Sequence, residues 1–175
     1  VVDRAMGGIL FIDEAYSLIQ GYNDSYGNEC VTELLKLLED RKGKFVCIAA
    51  GYTREMSQFL DSNSGLKSRF TKTITFEDYK PEELMDIFRL YCRKEGYSIE
   101  PEAEAILKDR FRNMYDNRAF DFGNGRDVRN LFGKVKSAVA GRAYSKMKEL
   151  IAGGADRQAA YEGSKPKTIT KEDLL

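Results

Sequence analysis

Two acids stand side by side at the end of an apolar run. Gly7-Gly8-Ile9-Leu10-Phe11-Ile12 is followed directly by Asp13-Glu14. The run is too short for a helix and reads as a buried parallel strand. In open α/β sheets ligands bind outside the carboxyl ends of the strands, which is where this pair is delivered. Adjacent carboxylates repel each other, and a packing role rarely needs both. A Mg-nucleotide site has a use for each: the first holds the hydrated Mg²⁺, and the second orients or deprotonates an attacking water. The competing reading is a helix N-terminus, whose dipole welcomes acids.

The rest of the composition narrows the chemistry. The 175 residues include no histidine, which removes Ser-His-Asp and Cys-His triads, histidine zinc sites and a histidine general base. Lys+Arg and Asp+Glu both number 28, and this neutrality counts against binding nucleic acid by phosphate neutralisation. Residues 1–79 carry net −3 and the remainder +3, an asymmetry that solvated helix faces explain. Cys30, Cys47 and Cys92 contain no CxxC pair and read as small core residues in a reducing compartment. No apolar run has the length of a membrane span and no signal-peptide pattern opens the chain, so the expected setting is the cytoplasm, with no membrane partner.

Several elements must position these groups. Val31, Leu34, Leu35 and Leu38 recur at helical spacing over residues 29–39, and Phe45-Val46-Cys47-Ile48-Ala49-Ala50 supplies a second apolar strand. A strand, a helix and another strand make a right-handed βαβ unit with a parallel sheet. Residues 73–76 read as a third strand. After Asp78 the texture turns helical. Pro81 opens a helix with Leu84, Ile87, Phe88 and Tyr91 on one face, and Pro101 opens another with Ala103, Ile106, Leu107 and Phe111 inward. The longest helix is expected over 126–152, with Val128, Leu131, Phe132, Val135, Val139 and Arg142 on one side. It stops at Gly153-Gly154. Residues 155–167 read as a loop, with Thr170 capping a final turn. The expected fold is α/β, a partial parallel sheet followed by a small all-α domain, divided at 1–79 and 80–175.

Gly7 to Leu18, ending Asp-Glu-Ala-Tyr-Ser-Leu, resembles the Walker B segment of AAA+ ATPases, in the branch of red-type Rubisco activase and the stage V sporulation ATPase. Three further segments resemble family motifs in the family's order. Ala49-Ala50-Gly51-Tyr52-Thr53-Arg54 stands where sensor 1 is kept, Gly65-Leu66-Lys67-Ser68-Arg69-Phe70 resembles the arginine-finger segment, and Gly123-Asn124-Gly125-Arg126-Asp127-Val128-Arg129-Asn130 resembles sensor 2 of the lid.

The resemblance implies a P-loop NTPase core with a helical lid, using ATP and Mg²⁺. Asp13 would bind the metal and Glu14 would polarise the attacking water. Arg69 would project into a neighbour's site, where its planar fork stabilises charge on the transferred phosphoryl; a surface arginine in a Ser-rich turn is the plain alternative. Arg126 would reach the nucleotide from the lid, and Arg129, three residues on, competes for that role. Where the family norm at sensor 1 is an amide, this chain offers Tyr52 and Thr53, and Thr53 is the nearer substitute because its hydroxyl both donates and accepts. Tyr22 and Tyr26 lie in a polar segment, 20–28, at the position of a second pore loop that touches a threaded polypeptide; an exposed loop is the alternative.

No G-x-x-x-x-G-K-[ST] precedes the acids: Gly43-Lys44 and Gly133-Lys134 lack its spacing and its hydroxyl. The chain is therefore expected to be a piece of a hexameric ATPase that remodels a protein client, inactive alone for want of a phosphate cradle. The alternative is a catalytically silent AAA-like scaffold or adaptor. A DNA-acting clamp loader is disfavoured by the neutral charge.

Overall fold

The computed structural model describes residues 2–19, 25–119 and 122–175, with the side chain of Ser25 outside that set. The chain divides into two compact units, Val1–Phe76 and Glu77–Leu175.

In the first unit, strand β1 (Ile9–Ile12) and strand β2 (Val46–Ala49) pair in parallel, in register from Ile9↔Val46 to Ile12↔Ala49. Helix α1 (Ser25–Asp40) connects them and buries Val31, Leu34 and Leu35, three of the four positions its spacing points inward. Helices α2 (Thr53–Asp61) and α3 (Ser64–Arg69) follow, the latter opened by Asn63, whose Oδ1 accepts from Gly65 N at 2.7 Å. The core joins Ala15, Tyr16, Val31, Leu35, Phe59 and Leu66, with Ile12 and Ala49 packed against it.

Two expectations are corrected here. The strands are apolar throughout but are covered on one face only: Ile9 is 63% exposed, Phe11 59% and Val46 57%. An unbroken apolar run fits a sheet with layers on both sides, whereas helices of this unit cover one. Residues 73–76 form no strand; Ile74 and Phe76 are exposed and the chain from 70 to 80 has no regular element.

The second unit is built on helix α4 (Pro81–Glu95), helix α5 (Pro101–Asp116) and helix α6 (Gly125–Ala152). Pro81 and Pro101 both sit in first turns, where the missing N–H costs nothing. Lys80 N donates to Glu83 Oε2 at 2.8 Å, which satisfies the amide at the head of α4. Phe88 centres the core, 6.0 Å from the Phe111 ring and 5.5 Å from that of Phe132 in an edge arrangement. Leu84, Met85, Leu107, Val128, Val135 and Val139 surround it.

The unit is not wholly helical. Strand β3 (Ser98–Ile99) pairs in parallel with strand β4 (Thr168–Ile169). The expected loop 155–167 holds helix α7 (Arg157–Gly163), capped by Asp156, whose Oδ1 accepts from the amides of Gln158 and Ala159. Thr170 opens the last turn as expected: its amide and hydroxyl both donate to Asp173 Oδ2, at 2.8 and 3.0 Å. The cysteines divide: Cys92 is buried, Cys47 half-buried and Cys30 exposed, all as free thiols, so Cys30 is not the core residue expected. It falls on the solvent side of α1, one position before buried Val31.

Candidate functional site

Parallel pairing places the carboxyl ends of β1 and β2 side by side. Ala50 N donates to Ile12 O at 2.8 Å, and Ala15 N donates to Ala50 O at 3.0 Å, so the chain from 12 to 15 runs along residue 50. Asp13 and Glu14 emerge there, both exposed. Glu14 has φ 47°, left-handed backbone uncommon for a residue with a side chain, and its amide donates to Asp13 Oδ1 at 3.1 Å. The turn leaves both adjacent carboxylates exposed.

Beside them the chain leaves β2 through Gly51. A Cβ on Gly51 would lie 2.7 Å from the Tyr16 ring and 2.9 Å from Met56 Sδ, so the residue after the strand must be glycine for Tyr16 to pack there. Tyr16 is buried, and that burial, reinforced by the negative charges of Glu14, Tyr52, Glu55 and Asp13 around it, raises its hydroxyl pKa above the ordinary value. Thr53, at the first position of α2, presents an exposed side chain at this same end of the sheet, and Tyr52 before it is 47% exposed.

Arg69, at the C-terminal end of α3, is folded against its own unit. Its Nη2 lies 3.1 Å from Glu39 Oε2 and its Nη1 donates to Gly65 O at 3.3 Å, while Nε is buried without a partner among the described residues. In the second unit Arg126 is exposed in the first turn of α6 and makes no ion pair among the described residues. Arg129 is also exposed, but its Nε donates to the Tyr91 hydroxyl at 3.2 Å, and Tyr91 stacks on Phe132. Of these two candidates, Arg129 commits one donor, its Nε, whereas Arg126 forms no side-chain hydrogen bond or ion pair among the described residues. Tyr22 lies outside the described residues. Tyr26 is 80% exposed, in the first turn of α1 and not in a loop.

Residues 2–78 match the family model described as "ATPase family associated with various cellular activities (AAA)", and residues 80–174 match the AAA lid domain. The chain belongs to the AAA+ ATPases. Stage V sporulation protein K of Bacillus subtilis (strain 168) is 42% identical over 143 residues, covering 81% of this chain and 44% of that protein. The CfxQ homolog of Guillardia theta is 38% identical over 176 residues, 100% of this chain and 56% of its own length. The chloroplastic ribulose bisphosphate carboxylase/oxygenase activase of Cyanidioschyzon merolae (strain NIES-3377 / 10D) is 37% identical over 146 residues, 83% of this chain and 49% of that one. The chain spans about half the length of these curated relatives.

As an AAA+ chain, it has a P-loop NTPase core portion followed by a helical lid. The donor set at the end of β1 suits Mg²⁺: carboxylate oxygens are hard ligands, and Mg²⁺ takes one or two of them and fills its sphere with water and phosphate oxygens. No group of three or more His, Cys, Asp or Glu among the described residues is arranged as an all-protein metal cage, which such a site does not need. Three residues that shape these positions were not singled out from sequence: Tyr16, Glu39 and Asn124. Only Asn124 left a signal, an Asn between two glycines, one of the non-glycine residue types most often found at positive φ.

Proposed function

We propose that this chain is the Walker B to lid portion of an AAA+ ATPase that couples Mg-ATP hydrolysis to remodelling of a protein client, working as a hexamer in the cytoplasm. The observation that carries the reading is the delivery of Asp13 and Glu14 to the carboxyl end of a parallel pair, next to Gly51-Tyr52-Thr53 at the end of the neighbouring strand. Mg²⁺, when bound, neutralises phosphate charge. Asp13 would hold it, Glu14 would take the proton from the attacking water, and Thr53 would supply a hydroxyl to orient that water. Arg69 serves a neighbouring subunit's site and Arg126 touches the nucleotide from the lid, with Arg129 as its competitor.

The 175 residues contain no G-x-x-x-x-G-K-[ST], so by themselves they lack the backbone cradle and lysine that grip a triphosphate, and we expect them to be inactive alone. The second reading is a silent AAA-like scaffold or adaptor. The natural full-length protein decides. Glu14→Gln should retain ATP binding and lose hydrolysis; normal turnover in that variant sinks the assignment, and failure of the unsubstituted protein to bind ATP supports the scaffold. No helix among the described residues is long and apolar enough to cross a membrane.

A further inference from the structure

Asn124 stands immediately before α6 with φ 49° and ψ −122°. This backbone suits glycine and strains any residue with a Cβ. Glycine at 124 would relieve the strain, but it would forfeit a side chain that is engaged at both ends. Asn124 Oδ1 accepts from Tyr79 N at 2.9 Å, and Nδ2 donates to Asp78 Oδ1 at 2.7 Å. The other oxygen of Asp78 accepts from Arg118 Nε at 3.1 Å, and the Arg118 guanidinium lies 3.8 Å over the Tyr115 ring while Nη1 donates to Tyr115 O. A single amide therefore ties the segment ahead of α4 to the end of α5 and the start of α6.

The backbone at the same place builds the head of α6. Asn124 O accepts from Asp127 N and Val128 N, at 3.1 and 3.2 Å, and Gly123 O accepts from Arg126 N at 2.8 Å. Gly123 N in turn donates to Asp127 Oδ2 at 2.9 Å. Arg126 is two residues from Asn124, and its backbone cannot shift without disturbing this turn. Asp78 and Tyr79 lie at the end of the irregular stretch 70–80.

We propose that Asn124 is a positioning residue that welds Asp78-Tyr79 to the head of α6, so that a displacement of Arg126 by phosphate passes directly into the chain leading out of the lid. The coupling rests on the reading of Arg126 as the nucleotide contact; the weld itself does not. In the natural full-length protein, Asn124→Gly keeps the backbone it needs and loses only the clasp. The Tyr79 amide should then exchange with deuterium at least about tenfold faster, since a local hydrogen bond sets its protection. ATP turnover should fall several-fold in kcat with KM nearly unchanged, a split that general loosening of the lid would not produce. Asp78→Ala removes the anchor of Nδ2 but leaves the Tyr79 bond to Oδ1, and should change exchange and kcat in the same direction by a smaller factor. Unchanged Tyr79 exchange in both variants overturns the weld, and faster exchange with unchanged kcat overturns the coupling. Normal turnover in Arg126→Ala overturns the nucleotide reading alone, because the exchange measurement still decides the weld.

Discussion

Arg69 and Glu39 form an ion pair of 3.1 Å that ties α3 to the last turn of α1. Glu39 gains from it, because an acid at a helix C-terminus faces the negative end of the dipole. The pair is weak: the side chains are 28% and 58% exposed, and such pairs contribute about 0–1 kcal/mol. A phosphate, which takes an arginine fork bidentately, competes well against a single exposed carboxylate.

In the full-length protein Arg69→Ala should leave the melting temperature nearly unchanged and cut ATP turnover by about 10³, the lower end of what arginine fingers supply. Mixing Arg69→Ala subunits with Glu14→Gln subunits should restore part of the activity, since one kind of interface then has both groups intact. Full turnover by Arg69→Ala alone would return Arg69 to the role of a surface arginine.

Gly51→Ala tests the packing beneath the acids. The new methyl would meet the Tyr16 ring at 2.7 Å, and overpacking of this kind costs about 1–3 kcal/mol. Urea unfolding should show that loss. Combining it with Tyr16→Leu should cost less than the sum of the two single changes, because the residues touch. Additive losses would mean that the clash is relieved elsewhere.

The βαβ unit was legible because its signals are local: two apolar runs, and Val31, Leu34 and Leu35 at helical spacing, all buried. Which sheet faces are covered is a non-local fact, and nothing in Ile9 or Phe11 announces their exposure. Helix α7 buries only Ala160, so it has no apolar period to read. Ile74 and Phe76 have the β-propensity of a strand without a ladder partner among the described residues. At the site, Asp13 and Glu14 were legible as a pair. The Glu39 contact with Arg69 was not, because residues 30 apart in sequence meet only through the packing of α1 on α3.

Arg142 is a charged residue on the apolar side of α6, and the structure gives the reason. Its Nε donates to Asp173 Oδ1 at 2.9 Å, and its other nitrogens reach the carbonyls of Ser164 and Thr168 at 3.1 and 2.7 Å. The Asp173 side chain is 1% exposed. Arg142→Met keeps the aliphatic stem but strands a buried carboxylate, a change that costs about 3–5 kcal/mol. Asp173→Asn keeps an acceptor for Thr170 and should cost less. Urea unfolding followed by far-UV circular dichroism measures both; equal stabilities would show that water replaces the clasp.

Cys92 supplies a pH test of the lid core. It is 3% exposed, in the cluster around Phe88, and burial pushes its thiol pKa up to about 11 from 9.0. The unfolded thiol ionises first, so between those values the folded state binds more protons and stability falls as pH rises. The loss approaches about 1.4 kcal/mol per pH unit and is absent below the unfolded pKa. Tyrosines and lysines titrate in the same range, so the quantity to measure is the difference in unfolding free energy between the unsubstituted protein and Cys92→Ala from pH 8 to 11. That difference should narrow as the pH climbs, because only the unsubstituted protein loses this contribution. Alkylation at pH 8 gives an independent check: exposed Cys30 should react in the folded protein, and Cys92 only on unfolding. A constant stability difference, or rapid labelling of Cys92 in the folded state, would show that the α4 face around Phe88 opens more readily than its burial implies.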